Sequence, residues 1–334
     1  MLTWLTLVAM LIVILIAAEV FTNALEHLGE RLGISEGVTG SLFAAVGTAL
    51  PETSVPLLAL FAGTANQQVN EEIGVGAILG APLMLATLSL FLMTLFAWKK
   101  RGLHGTYRPE KQGLKRDLNF FLIAFSVAIL ALFVPHQYST ARGALGLGLI
   151  LLYFVYIMMT LRASAALVEQ GHGTEAHEKM WLSKLGLPEN MVVIAVQLLL
   201  GLGLLVLGAR GFIHGVEAAA DMLGISVLLL SLLIIPVATE LPEKVNSVLW
   251  IRKGKDTLAF GNITGAMVFQ GTLLPALGIM LTPWEPRAEV LAGIAITLIA
   301  AVWLRVMLAY GRLRVSHLLL NGMLYAAYLA IVLR

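Results

Sequence analysis

The chain contains no cysteine and few charged residues, and both absences narrow what it can be. Without cysteine there is no disulfide, no thiolate metal ligand and no cysteine nucleophile. The redox compartment of the protein is not determined by this absence. Charged residues make up only 13% of the 334 residues and hydrophobic residues 59%, with a mean hydropathy of +0.89. A soluble globular domain does not tolerate this balance. The composition indicates a membrane protein whose partner is the lipid bilayer, and a net charge of +2 gives no reason to expect nucleic acid.

The motifs of an intramembrane enzyme are also missing. The sequence has no His-Glu-x-x-His run and no comparable arrangement of nucleophile and base. The loop near 164–188 carries His172, Glu175, His177 and Glu178. Its two histidines stand at i and i+5, which do not share a helix face, so a solvated loop is a better interpretation than a metal site. We therefore expect no enzyme, no catalytic residue and no cofactor, and no protein partner can be deduced.

Ten apolar stretches are each long enough to cross a bilayer, since about 20 residues span the hydrocarbon core. The predicted spans are 2–28, 36–60, 72–97, 117–134, 142–163, 190–219, 226–250, 257–282, 287–308 and 315–333. The first stretch has no basic segment before it, so we interpret it as a mature helix rather than a signal peptide. The sequence thus predicts an all-α polytopic membrane protein with ten transmembrane helices.

The basic residues are distributed unevenly between the two sides of these spans. If the loop at 98–116 is cytoplasmic, 17 of the 22 Lys and Arg residues lie on that side, 4 lie on the other, and Lys244 is inside the membrane. Cytoplasmic loops carry such an excess of basic residues. We therefore expect an integral protein of a prokaryotic plasma membrane, with its N- and C-termini outside.

The two halves of the chain repeat each other. Residues 1–63 match residues 192–254 at a constant offset of 191 positions, so that the Leu-Pro-Glu tripeptide at 50–52 returns at 241–243. Each half holds five predicted spans. Because five is odd, the halves must enter the membrane from opposite sides, which makes the repeat an inverted one.

This repeat predicts the organisation of the chain. We expect a first five-helix repeat at 1–163, a cytoplasmic linker at 164–189 and a second five-helix repeat at 190–334. A channel built by parallel duplication is disfavoured, and a transporter that works by alternating access is favoured.

The duplicated Pro-Glu pairs carry the predicted chemistry. Proline removes a backbone donor and frees a carbonyl one turn earlier, so each Pro-Glu helix is expected to break where its glutamate points inward. Glu52 and Glu243 lie four residues after Thr48 and Thr239, on the same helix face, so each copy offers a hydroxyl and a carboxylate together. Such hard oxygen ligands suit Ca²⁺ or a similar divalent ion, whereas the lack of Cys and His in the motifs argues against zinc or copper. A purely structural role is the weaker alternative, because an unpaired carboxylate at the midplane costs at least about 2.5–3.5 kcal/mol.

At these motifs the sequence resembles a known family. Residues 47–52, Gly-Thr-Ala-Leu-Pro-Glu, resemble the Gly-Thr-Ser-x-Pro-Glu signature of the cation/calcium exchanger superfamily, of the sodium/calcium exchanger type, and 238–243 resemble its second copy. Residues 261–270 are similar to the companion motif on the following helix, and 76–82 to a degraded first copy. The resemblance implies an antiporter that moves a divalent cation, Ca²⁺ above all, in exchange for Na⁺ or H⁺.

The ligand positions that the resemblance implies are only partly kept. The serine that follows each threonine is replaced by Ala49 and Glu240. The serine and the terminal Asn or Asp of the companion motif are replaced by Ala81, Leu85, Ala266 and Gln270. Gln270 still offers an amide oxygen. The missing ligands leave an ion channel or a non-transporting cation sensor on the same fold as the alternative function.

One substitution brings a charge pair into the second motif. Glu240 is an additional carboxylate, and Lys244 follows it at i+4, the spacing of a helical ion pair. Lys244 either neutralises Glu240 as a tethered cation or extends toward the cytoplasmic surface without pairing. The predicted metal ligands are Thr48, Glu52, Thr239, Glu240, Glu243 and Gln270, with Lys244 as a charge partner.

Overall fold

The structure is a computed structural model that describes residues 2–31, 50–168, 179–311 and 313–333. Within those ranges the chain is helical. It has one isolated β-bridge and no extended β-strand. The helices are α1 (Leu2–Arg31), α2 (Leu50–Ala62), α3 (Gln67–Met84), a π-helical turn (Leu85–Ser89), α4 (Leu90–Arg101), α5 (Lys111–Leu132), α6 (Ser139–Val168), α7 (Trp181–Lys184), α8 (Met191–Leu223), α9 (Val227–Thr239), α10 (Leu241–Arg252), α11 (Asp256–Leu281), α12 (Ala288–Ala309), a 3₁₀ turn (Val315–Leu318) and α13 (Leu319–Val332).

The helical membrane fold is confirmed, with fewer qualifying spans than the ten predicted. Seven helices of the described residues are long and apolar enough to cross a membrane, and two shorter apolar helices cover Glu52–Phe61 and Val227–Val237. Three of the predicted spans are not among the seven. The predicted span at 36–60 is described only from Leu50, the one at 226–250 is divided at Glu240, and α5 begins with several charged residues. The ten-helix inverted arrangement stays a prediction.

The chain forms two compact units. The first consists of residues 1–70 and 154–225, and the second of residues 71–153 and 226–334. Each unit combines residues of both predicted sequence repeats.

In the first unit, α1 lies antiparallel against α8 along a row of glycines. Gly201, Gly208 and Gly215 are seven residues apart, and a Cβ at these positions would lie 2.9, 2.9 and 2.7 Å from side-chain atoms of Phe21, Ile14 and Leu7 respectively. Small residues let two membrane helices approach closely, where van der Waals packing holds them together. The same unit contains a buried polar link, in which Gln197 donates to Asn23 at 2.9 Å.

In the second unit, α3 crosses α9 just as closely. A Cβ at Gly76 would lie 2.5 Å from Cβ of Ser231, and one at Gly80 would lie 2.4 Å from the carbonyl oxygen of Leu232. The degraded first companion motif therefore acts as a packing surface that fixes the position of α9. Gly261, the first glycine of the second companion motif, behaves differently, because a Cβ there would have open space.

Two polar contacts hold α11 in place within this unit. The Thr264 hydroxyl donates to the buried Asp117 carboxylate on α5 at 2.8 Å. The Asn262 amide donates to the Ser247 hydroxyl on α10 at 3.0 Å. The helix that carries the second companion motif is thus joined both to α5 and to the helix that follows the second Pro-Glu pair.

The segment between α4 and α5, which we interpret from the sequence as a cytoplasmic loop, makes specific tertiary contacts. The Asp256 carboxylate, at the start of α11, accepts two bonds from the Arg101 guanidinium at 2.6 and 2.8 Å and one from the Arg108 backbone at 2.7 Å. Arg101 also lies 5.4 Å from the ring centroid of the buried Tyr107. Burial raises the pKa of the Tyr107 phenol to about 12, so the ring stays neutral at physiological pH.

Candidate cation site

The second Pro-Glu motif lies at an interruption between two helices, as the sequence predicts. α9 ends at Thr239, Glu240 has φ −90° and ψ 11°, and α10 begins at Leu241 with Pro242 in its first turn. Pro242 has no N–H for the carbonyl one turn earlier, so the helix cannot continue unchanged through this point. Pro236 inside α9 removes another donor in the same region. The interruption therefore leaves backbone carbonyls available at the end of α9.

Glu240 and Lys244 form a buried ion pair beside this interruption. The Lys244 Nζ lies 3.5 Å from Glu240 Oε2, and the two side chains are 4% and 0% exposed. Lys244 also donates to the carbonyl oxygen of Pro236 at 3.0 Å and approaches that of Val237 at 3.5 Å. An ammonium near a helix C-terminus is stabilised by the negative end of the helix dipole. The structure thus places Lys244 against Glu240 and the end of α9, rather than extended to the cytoplasmic surface.

Thr239 is buried at the last position of α9. Its hydroxyl donates to the Ile235 carbonyl at 3.0 Å, so its remaining capacity is as an oxygen acceptor. Glu243 belongs to α10, on the other side of the interruption. Thr239 and Glu243, which the sequence places on one helix face, are thus carried by α9 and α10 on either side of the interruption. The side chain of Glu243 lies outside the described part of the chain.

Gln270 occupies the middle of α11 and is 1% exposed. Neither its amide nitrogen nor its amide oxygen has a hydrogen-bond partner among the residues that the structure describes. A buried amide left unsatisfied costs about 1–3 kcal/mol, so such a group calls for a ligand or another explanation. The Gln270 amide oxygen is thus a buried acceptor that no described residue uses.

Glu52 is also buried, at 2% exposure, in the first turn of α2. A carboxylate in a first turn is stabilised by the positive end of the helix dipole. Glu52 belongs to the first unit, whereas Thr239, Glu240, Lys244 and Gln270 belong to the second. Thr48 lies outside the described residues.

No group of three or more His, Asp or Glu side chains that could hold a metal occurs within the described ranges. This finding does not test the predicted site, since Thr48 and the Glu243 side chain are not described. His172, Glu175, His177 and Glu178 also lie outside the described residues. Sequence reasoning missed the carbonyls of Pro236 and Val237 as partners of Lys244. The available signal was Pro242, which cannot continue the hydrogen bonding of α9 and so places a helix end beside Lys244.

The fold and the site define a helical membrane protein with a buried charge pair in its apolar helices. Ionisable residues inside a membrane are rare and mark a functional site. The family model for the sodium/calcium exchanger protein matches residues 2–162 and 193–334 of this chain. The chain therefore belongs to the sodium/calcium exchanger family and is an integral membrane protein.

Two relatives match most of the chain. It is 27% identical over 278 residues to the putative antiporter CaxA of Alkalimonas amylolytica, covering 82% of this chain and 79% of the relative. It is 26% identical over 282 residues to the inner membrane protein YrbG of Escherichia coli, covering 84% of this chain and 80% of the relative.

Two solved structures share the fold. The H⁺/Ca²⁺ exchanger CAX matches with a TM-score of 0.75 at 16% identity, over 98% of this chain and 82% of that one. The sodium-calcium exchanger NCX_Mj matches with a TM-score of 0.62 at 19% identity, over 98% of each chain. At these identities the similarity establishes the fold alone.

Proposed function

We propose that this protein is a secondary antiporter that moves a divalent cation, Ca²⁺ above all, across a membrane in exchange for Na⁺ or H⁺. The observation that carries the proposal is the buried Glu240–Lys244 pair at the interruption between α9 and α10. Broken helices place free carbonyls and ionisable side chains deep in a membrane protein, which is how secondary transporters build ion sites. Membership of the sodium/calcium exchanger family supports the same function.

The proposed ligands are the carboxylates of Glu52 and Glu243, assisted by the oxygens of Thr48, Thr239 and Gln270. The proposal that both glutamates hold the same ion rests on the sequence repeat. Glu52, Glu240 and Glu243 contribute three negative charges and Lys244 one positive charge, which leaves a net charge of −2. This charge balances one divalent cation and no second bound cation.

We further propose that protons replace some or all of the sodium as the coupling ion. The serine and Asn or Asp positions of the family motifs are occupied here by residues such as Ala81, Leu85 and Ala266, which offer no side-chain oxygen. Glutamates can carry protons through the same site. Lys244 adds a permanent positive charge, which opposes binding of Na⁺ beside the divalent ion.

The inverted topology is part of the same proposal. Alternating access about an axis in the membrane plane requires equivalent helices of the two halves to run in opposite directions. The antiparallel packing of α1 on α8, which are equivalent in the sequence repeat, supports this arrangement. The basic residues favour termini outside a prokaryotic plasma membrane.

Counterflow in proteoliposomes tests the function. We expect ⁴⁵Ca²⁺ to accumulate against its gradient when an outward H⁺ gradient is imposed without Na⁺, with a separate arm driven by Na⁺. Uncoupled flux that follows only the membrane potential would identify a channel instead. Absence of flux from a folded, ion-binding protein would identify a sensor. Strict dependence on Na⁺ without any response to pH would contradict the proposed proton coupling while leaving antiport intact.

A further inference from the structure

A basic cavity lies in the second unit, away from the candidate cation site. Its volume is about 490 Å³, and the residues at 104–111 and 308–314 supply its walls. Arg108, Lys111 and Arg314 contribute three positive charges, and His104 contributes a further donor. None of the described residues that line this cavity is acidic.

The nearby carboxylates are already occupied by other donors. Asp256 accepts bonds from the Arg101 guanidinium and from the Arg108 backbone, which leaves the Arg108 guanidinium unused by this contact. Glu110 caps α5 and accepts bonds from the backbone N–H groups of Gln112 and Gly113. Within the described residues, no carboxylate forms an ion pair with Arg108, Lys111 or Arg314. Like charges that face one cavity without a counterion favour an anionic ligand.

The backbone fixes the cavity wall beside Lys111. Gly311 has a φ of 75°, in the left-handed region that disfavours residues with a side chain. A Cβ added at Gly311 would lie 3.9 Å from the Lys111 ammonium nitrogen, at ordinary contact distance, so the ammonium lies beside this turn. Residues 103–107 pair with 313–316 through backbone hydrogen bonds, including Tyr107 to Leu313 at 2.8 Å and Val315 to Gly105 at 2.9 Å. The two walls are therefore held together by the fold.

The cavity stands where membrane helices end. Three candidate spans, Gln67–Arg101, Ala288–Ala309 and Val315–Val332, have a terminus next to it in the sequence. Leu308 and Leu313 give the cavity an apolar side, and the neighbouring Tyr310 is 78% exposed. Exposed tyrosines mark the level of the lipid headgroups in membrane proteins. Basic pockets between membrane helices on the cytoplasmic side bind the headgroups of anionic lipids.

We propose that this cavity binds the phosphate group of an anionic phospholipid, with Arg108, Lys111 and Arg314 as the phosphate ligands and Leu308 and Leu313 beside the start of the acyl chains. Guanidinium groups match phosphate oxygens in paired hydrogen bonds, and the lysine adds a point charge. This site is independent of the transported cation, so it stands whether or not the protein is an antiporter.

Native mass spectrometry of the full-length protein in a neutral detergent tests the proposal. Three probes are titrated: phosphatidylglycerol, phosphatidylcholine with the same acyl chains, and inorganic phosphate. The test variant is Arg108→Gln/Lys111→Gln, and the control is Lys99→Gln/Lys253→Gln, which removes the same charge from exposed positions outside the cavity. We expect the wild type and the control to bind phosphatidylglycerol alike. The test variant should bind it about thirtyfold more weakly, since each basic side chain near an anionic lipid contributes about fivefold.

The other outcomes count against the proposal. Equal weakening in the test and control variants would show that only net charge matters, and the cavity would then not be a site. Equal binding of phosphatidylcholine would remove the role of anionic charge. Saturable binding of inorganic phosphate that depends on Arg108 and displaces phosphatidylglycerol would assign the cavity to a soluble phosphate ligand instead. Thermal unfolding of the test variant and of the control variant verifies that both are folded.

Discussion

The two Pro-Glu copies of this chain share their glutamate but differ at two linked positions. At the offset of 191 residues, Glu240 and Lys244 of the second copy correspond to Ala49 and Thr53 of the first. Both members of the ion pair are therefore absent from the first copy. The added negative charge of Glu240 is cancelled by Lys244, so each copy keeps a formal charge of −1.

The second copy thus carries a compensated ion pair rather than an added net charge. A single added carboxylate at this depth would be costly in the membrane, whereas a neighbouring ammonium offsets much of that cost. The ammonium also donates to the Pro236 carbonyl in the last turn of α9, which gives it a second partner. The first copy places Thr53, a neutral residue, at the equivalent position.

The largest expected effect comes from breaking this pair on one side only. Lys244→Ala removes the ammonium and leaves the Glu240 carboxylate buried, and breaking a buried pair from one side typically costs about 3–5 kcal/mol. We expect divalent cation flux to fall at least about tenfold and the thermal unfolding midpoint to drop. Flux in proteoliposomes and unfolding in detergent measure the two effects.

A double variant sharpens the comparison by giving the second copy the residues of the first. Glu240→Ala/Lys244→Thr restores charge neutrality, so it should recover part of the lost stability and flux and become more sensitive to Na⁺. Lys253→Ala, which removes an exposed lysine after α10, is the control. If Lys244→Ala transports like the wild type, or if the double variant is no better than the single one, the pair has no such role.

A smaller effect is expected from the two companion motifs, which also differ between the halves. In Gly80→Ala the new Cβ would meet the Leu232 carbonyl oxygen at 2.4 Å, and a backbone atom cannot move aside cheaply. Overpacking of this kind costs about 1–3 kcal/mol, so both the unfolding midpoint and the flux should fall.

Gly261→Ala, at the position that corresponds to Gly76, is the control in the second motif. Its Cβ would enter open space, and alanine is a better helix former than glycine by about 1 kcal/mol, so its unfolding midpoint should be unchanged or raised. Equal destabilisation by both substitutions would contradict the asymmetry between the motifs.

The smallest effect is expected at Gln270, whose counterpart in the first companion motif is Leu85. Gln270→Leu removes an amide without hydrogen-bond partners among the described residues, so stability should not decrease. Loss of a neutral oxygen ligand should raise the KM for the divalent cation several-fold at unchanged unfolding temperature. A lower unfolding temperature with an unchanged KM would instead assign Gln270 a purely structural role.

The sequence predicted the helical membrane fold and the helix interruption at the second Pro-Glu motif, because both depend on local chemistry. It showed the i+4 spacing of Glu240 and Lys244 but left two alternatives for Lys244, and the structure selects the ion pair. It did not predict that Thr239 and Glu243 lie on separate helices, since the position of a helix end within a Pro-containing turn depends on tertiary packing. The sequence also did not predict the close contact of Gly80 with α9 or the open space at Gly261. The two glycines occupy similar motifs, and only the neighbouring helices distinguish them.

The buried cluster around Asp256 was missed for the same reason. Arg101 and Arg108 read as loop residues of the basic segment at 98–116, and their partner is about 150 residues away in the chain. Sequence spacing carries no information on such a contact. The segment that these contacts hold supplies Arg108 and Lys111 to the basic cavity, and Arg314 lines the cavity from the other wall.

The central claim is that both Pro-Glu copies hold one divalent cation together, and equilibrium binding of ⁴⁵Ca²⁺ to the purified protein tests it most directly. We predict about one bound ion per chain, and at least about tenfold weaker binding in Glu52→Gln and in Glu243→Gln, since each removes a charged oxygen ligand. Glu217→Gln, which alters a glutamate outside the proposed site, should bind like the wild type. Wild-type affinity in either amide variant, or two ions per chain lost one at a time by the two variants, would contradict the claim.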